Sequence, residues 1–180
     1  MNRLCIYCGG RSGANEAYAT AAAELAKLMV AAQIGLVYGG SSRGLMGVVA
    51  DTMLAAGGEV RGVIPASLRD REVAHDGLSE LHVVDSMHDR KSLMAVLSDG
   101  FVALPGGYGT LEEIVEVLTW GQLQFHEKPC GLLNVDGYFD HLLAFLDHAR
   151  RQGFLHPQHR EMLVVARTPA ELLDRFEHYA

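Results

Sequence analysis

Short apolar runs alternate with longer amphipathic ones along the chain. The apolar runs predict strands at Leu4–Tyr7, Gly35–Tyr38, Glu59–Ile64, Leu81–Val84, Gly100–Leu104 and Cys130–Asn134. The longer runs, with a helical repeat of apolar positions, predict helices at Glu16–Gln33, Leu45–Ala56, Met87–Leu97, Leu111–Leu123 and Phe139–Gln152. A short apolar run at Met162–Ala166 precedes a final helix from Pro169. Runs such as Phe-Val-Ala-Leu show no polar alternation, as in strands covered on both faces. Strand and helix alternating at this spacing predict a parallel sheet with helices on both sides, a doubly wound α/β fold. No linker, low-complexity tract or fixed-period repeat interrupts the pattern, so residues 1–180 are expected to form one domain.

Three predicted strands run into glycine-rich turns: "YCGGRSG" (Tyr7–Gly13), "YGGSSRGLMG" (Tyr38–Gly47) and "PGGYGT" (Pro105–Thr110). In open parallel sheets ligands bind beyond the carboxyl ends of the strands, where these turns belong. Glycine lets backbone N–H groups approach a ligand closely, and a following helix N-terminus favours an anion such as phosphate. None of the turns matches the dinucleotide fingerprint or the phosphate loop of nucleoside triphosphatases.

Composition narrows the choice. Asp and Glu total 22 against 15 Lys and Arg, for a net charge of −7, which disfavours a general nucleic-acid or membrane-surface binder. Met1-Asn2-Arg3 leads directly into a strand, with neither a leader pattern nor a stretch long enough to span a bilayer, so a cytoplasmic location is expected. Cys5 and Cys8 form a C-x-x-C, but three residues apart on a strand they face opposite sides and read as core residues. The nine histidines show no ligand spacing, and His156 and His159 fall in a loop-like, solvated stretch, so no metal is expected.

Two charged positions carry candidate chemistry. Thr110-Leu111-Glu112-Glu113 matches a capping box, in which Thr110 caps the helix and Glu113 reaches back to its N–H. In the alternative, Glu113 projects into the cleft beside the glycine turn, where a carboxylate stabilises an oxocarbenium-like centre or activates water. Arg90 shares a helical stripe with Met94 and Leu97 near a helix N-terminus, where the dipole disfavours a cation. Such an arginine has an anionic ligand, an acidic neighbour or a surface position. Leu111, Ile114, Val115 and Leu118 form one apolar stripe, with Val117 and Trp120 off it; the extra apolar face fits either a second subunit or the chain's own C-terminal helices.

"PGGYGTLEE" resembles the P-G-G-x-G-T-x-x-E motif of the Lonely Guy family, the cytokinin-activating phosphoribohydrolases. "YGGSSRGLMG", "GVIPASL", "ELHVVDSMHDRKSLM" and "KPCGLLNVDGYFDHLL" follow the family pattern in order, to about Phe154. The resemblance implies a Rossmann-like fold, a homodimer and no cofactor. It implies hydrolysis of the N-glycosidic bond of AMP or N6-substituted AMP, giving free base and ribose 5-phosphate. It also implies that Arg90 and Glu113 are catalytic. Glu72, Lys91 and Thr119 then correspond to substrate positions, as do Gly106, Gly107, Tyr108, Gly109, Thr110, Leu111 and Glu112 in the turn and helix start. Older descriptions of similar sequences as lysine decarboxylases need a Schiff-base lysine, and Lys27, Lys91 and Lys128 lie in no cofactor motif. The sequence departs from the family at Gly10 and Arg11, where serines are common, and at Ser41 and Arg43. The alternative is a protein of the same fold that binds a nucleotide or carries molybdenum cofactor without turnover.

Overall fold

The structure is a computed structural model that describes residues 1–69 and 73–179. Seven parallel strands form one sheet in the order β4-β3-β2-β1-β5-β6-β7. They are β1 (Arg3–Tyr7), β2 (Gly35–Tyr38), β3 (Val60–Pro65), β4 (Glu80–Val84), β5 (Gly100–Ala103), β6 (Cys130–Leu133) and β7 (Leu163–Ala166). The helices are α1 (Glu16–Ala31), α2 (Gly44–Ala55), α3 (Ala66–Arg69), α4 (Met87–Leu97), α5 (Tyr108–Gln122), α6 (Asp140–Arg151), α7 (Pro157–Glu161) and α8 (Pro169–Glu177), with a 3-10 turn at Val135–Gly137.

The doubly wound fold follows from two apolar faces per strand. Leu4, Ile6 and Cys8 pack with α1, α2 and α8, whereas Cys5 and Tyr7 pack with α4, α5 and α6 on the other side. The two cysteines therefore lie in opposite cores as free thiols. β2, β5 and β6 are buried along their whole length, while β4, an edge strand, exposes Leu81 and Val83.

From β1 the chain steps outward through β2, β3 and β4, then returns so that β5 lies against the other side of β1. Strand order thus reverses between β1 and β5, and their carboxyl ends border the crevice that such a reversal opens. The turns after β1 and β5 meet there: the Gly9 N–H donates to the Pro105 carbonyl at 3.1 Å.

Three stretches differ from the sequence expectation. The apolar run at 162–166 is a strand, β7, which pairs with β6 and closes the second edge of the sheet. α5 begins at Tyr108 rather than Leu111, and its N-cap is Gly107 with no side-chain cap. Thr110 is therefore the third residue of the helix and Glu113 lies too deep in it to reach the cap, so the expected capping box is not formed. The stretch holding His156 and His159 includes the short helix α7 rather than loop alone.

Candidate active site

A cavity of about 640 Å³ opens at the carboxyl ends of β1 and β5. The turn 8–13 forms one wall, and Pro105, Gly106, Gly107, Gly109 and Thr110 form another. Arg90 from α4 and Glu112 and Glu113 from α5 complete its charged lining, and Leu45, Met46, Leu68 and Met87 give it an apolar side. Tyr18 and Tyr138 stand at a further edge, their rings 5.4 Å apart and nearly perpendicular.

Glycine is needed at particular points of this cavity. A Cβ on Gly106 would lie 2.0 Å from Thr110 Oγ1, so the turn folds directly over the buried threonine. The Tyr138 hydroxyl donates to the Gly106 carbonyl at 2.6 Å, which latches the turn from the far side of the sheet edge. Gly107 and Gly109 have open space where a side chain would stand. The N–H groups of Tyr108, Gly109 and Thr110 have no partner inside the helix, because the first intrahelical bond runs from Leu111 N–H to the Gly107 carbonyl. The result is a helix N-terminus with its amides bare and its dipole directed at the cavity.

Arg90 is only 6 % exposed. Its Nη2 donates to the Gly39 carbonyl at 3.3 Å and Nη1 lies 3.8 Å from Met87 Sδ. A Cβ on Gly39 would sit 2.0 Å from Nη2, so glycine at this turn is what admits the guanidinium. Arg90 is therefore neither a surface arginine nor a snorkelling one. Burial drives the Cys5 thiol far above its ordinary value; a hydrogen bond with Tyr7 lowers it, the Glu113 carboxylate raises it, and a hydrogen bond with Ser98 and then the Arg90 charge lower it.

The remaining expected site residues divide. Lys91 does not line the cavity: its ammonium is held by the carboxylates of Glu112 and Glu116. Burial pulls the Lys91 pKa down most strongly, but these two hydrogen-bonded carboxylates outweigh it and leave it raised. Tyr108 is almost wholly exposed at the start of α5, and Leu111 packs against the core beneath the helix. Thr119 faces elsewhere, into a second groove of about 120 Å³ between α5 and α6 lined mainly by Val115, Leu118, Leu142, Leu146 and Leu155. Its hydroxyl donates to the Val115 carbonyl at 2.8 Å. Glu72 lies outside the described residues. Ile114 and Val117 form the buried stripe of α5, whereas Val115, expected on the stripe, is half exposed. The chain's own α6 covers part of the helix's extra apolar face.

Sequence reading missed Tyr18, Tyr138, Met46 and Leu68. No local signal marks them, since each reaches the cavity only through the docking of its own element. Met94, on the same helical stripe as Arg90, is fully buried in the core and takes no part in the lining.

A family model described as "Possible lysine decarboxylase" matches residues 46–176. The probable cytokinin riboside 5'-monophosphate phosphoribohydrolase LOGL9 of Oryza sativa subsp. japonica is 53% identical over 99% of this chain and 79% of its own length. The cytokinin riboside 5'-monophosphate phosphoribohydrolase LOG5 of Arabidopsis thaliana is 49% identical over 99% of this chain and 78% of its own. The chain belongs to the Lonely Guy family. Among solved structures, the Moco carrier protein of Chlamydomonas reinhardtii superposes with a TM-score of 0.73 at 22% identity, covering 98% of this chain and 96% of that one. At that identity the likeness shows the shared Rossmann-like fold alone. The decarboxylase description of the Lonely Guy model finds no support in the site: none of the three lysines lines the cavity. Lys91 is locked in its ion pairs, Lys128 donates to the Ala95 carbonyl, and Lys27 is exposed on α1.

Proposed function

We propose that this protein hydrolyses the N-glycosidic bond of adenosine 5'-monophosphates, plain or N6-substituted, releasing the free base and ribose 5-phosphate. The observation that carries the reading is the convergence of Arg90 and Glu113 on one cavity floored by the Gly106–Thr110 turn. Its volume falls within the range of small-ligand pockets.

The 5'-phosphate sits on the bare amides of Gly107–Thr110 at the start of α5, where hydrogen bonds to an anion are strongest. The turn's glycines let it approach the backbone. As the C1'–N9 bond lengthens, positive charge gathers on the ribose, and the Glu113 carboxylate stabilises it. Water attacks C1', the bonding pair leaves with N9, and the water's proton is transferred so that neutral base departs. Arg90 orients substrate and the Glu113 carboxylate. An N6 substituent meets the apolar side made by Met46, Leu68 and Met87. Lys91 serves the site through Glu112, and Glu72 contacts the substrate. No metal or cofactor takes part.

Residues 1–180 act as one nucleotide-binding domain in the cytoplasm, and the partner is a small nucleotide rather than nucleic acid or membrane. Among the described residues, no helix is long and apolar enough to cross a membrane. The protein works as a homodimer: the α5–α6 groove is apolar, its lining residue Val115 is half exposed, and Phe145 and Phe154 are exposed. Any part that Thr119 plays at a cavity is one for the assembled dimer.

The test is a panel of AMP, isopentenyl-AMP, adenosine and lysine, with chromatographic detection of products. Equimolar base and ribose 5-phosphate are expected from the nucleotides, and no decarboxylation of lysine. Tight AMP binding with no base released would replace this reading with that of a carrier.

A further inference from the structure

The cavity contains a second arginine whose position is as fixed as that of Arg90 but whose side chain is not. Arg11 lies in the turn after β1, and its backbone is clamped from two sides. A Cβ on Gly9 would stand 2.8 Å from the Arg11 carbonyl oxygen, and one on Gly44 would stand 2.3 Å from the Arg11 nitrogen. Gly44 adopts φ +57°, and the next residue, Leu45, donates its N–H to the Gly9 carbonyl at 2.9 Å. The turns after β1 and β2 are therefore packed backbone against backbone, with Arg11 at the contact. Arg11 is exposed and lines the cavity, and its side chain makes no hydrogen bond or ion pair with any described residue.

Two of the cavity's other charged groups have partners within the fold. Arg90 is buried on Gly39, and Glu112 holds Lys91. An exposed guanidinium that shares a cavity with the bare amides of α5 is placed to close on an anion bound there. Its planar fork suits phosphate bidentately. A phosphate dianion entering this cavity also meets the carboxylate of Glu113, and helix amides alone supply only about half a positive charge against it.

We propose that Arg11 is the specificity-determining residue for the phosphate end of the ligand, pairing with the 5'-phosphate seated on the first turn of α5. The proposal rests on the nucleotide reading above and adds how a nucleotide is told from a nucleoside. Because Arg11 acts on a group remote from C1'–N9, it sets affinity more than the rate of bond cleavage.

Calorimetric binding of AMP, ribose 5-phosphate and adenosine tests it, with Arg11, Arg11→Ser and Arg11→Lys each compared in the slow-cleaving Glu113→Gln background. The serine variant is expected to bind AMP and ribose 5-phosphate about tenfold more weakly and adenosine with unchanged affinity. The lysine variant falls between. In turnover, Arg11→Ser raises KM for AMP by the same factor with kcat within about twofold of wild type, and flattens the salt dependence of KM. Unchanged affinity for all three ligands would overturn the proposal. So would an equal loss for adenosine and AMP, which would place Arg11 on the base. A wild type that binds AMP without cleaving it defeats the hydrolase reading alone, since the three affinities still report on Arg11.

Discussion

α5 and α8 carry the same four-residue signature, Thr-x-x-Glu, near their beginnings. At α8 the signature caps the helix. Thr168 is the N-cap and accepts from the Glu171 N–H at 3.3 Å, Pro169 fills the first helical position, and Glu171 accepts from the Arg167 N–H at 2.9 Å. At α5 the helix starts two residues before its signature, at Tyr108 with Gly107 as the N-cap, and Thr110 is buried under Gly106. The first amides of α5 then have no partner inside the helix, and Glu113 lines the cavity. One helix end is finished by its own side chains; the other is left unfinished where the sheet order reverses. What sets α5 apart is that its uncapped N-terminus and the Glu113 carboxylate border the same cavity.

The sharpest break of this comparison is Glu113→Gln. A glutamine serves a capping box as well as glutamate does, so a structural role would leave turnover intact. The cavity role predicts a fall in base release of about 10³-fold, in the range seen when one transition-state electrostatic contact is removed. The melting temperature should stay within about 1 °C, as for a change at a cavity wall that leaves the fold's packing alone. Full activity with an unchanged melting point would mean that the Glu113 charge takes no part in cleavage.

Glu112, one residue earlier, gives the intermediate case. It borders the cavity but holds Lys91 together with Glu116, tying α4 to α5. Lys91→Met leaves two carboxylates one helical turn apart without their cation. Glu112 is half exposed, so the loss is expected at about 1–2 kcal/mol by denaturant unfolding, below the cost of breaking a fully buried pair. The Lys91 pKa is raised on folding, so its stabilisation is fully present below the ordinary lysine value of 10.5 and disappears as pH climbs through the folded value. Wild type and Lys91→Met should therefore differ at pH 8 and converge in strong alkali. A constant gap across that range would show that Lys91 acts by packing rather than charge.

The strands and the long helices were legible in sequence because their periodicities are local. Gly35–Tyr38 and Met87–Leu97 fall where the pattern places them. Arg90 was legible too, since a cation in an apolar stripe near a helix N-terminus contradicts two local tendencies at once. The early start of α5 was not. Tyr108 and Gly109 are poor helix formers, and they join the helix because the fold presses Gly106 onto Thr110 and Tyr138 holds the Gly106 carbonyl from 32 residues away. Nor was the division between Arg90 and Lys91. Neighbours on a helix point in different directions, but whether each meets a cavity or a carboxylate depends on how α5 docks beside α4.

Thr168→Ala completes the comparison from the structural end. The threonine hydroxyl accepts one amide hydrogen bond at the start of α8, and alanine cannot. Loss of such a cap costs about 1 kcal/mol, which for a chain of this size lowers the melting temperature by about 2–4 °C. α8 lies on the α1 side of the sheet, its Leu172 and Phe176 packed in that core, and no residue of it lines the cavity. kcat and KM for AMP should therefore be unchanged at temperatures well below the transition. If Thr168→Ala altered KM while leaving the melting curve in place, the two Thr-x-x-Glu signatures would not be the opposites that their hydrogen bonds make them, and the coupling would have to run through α1 to the turn at 8–13.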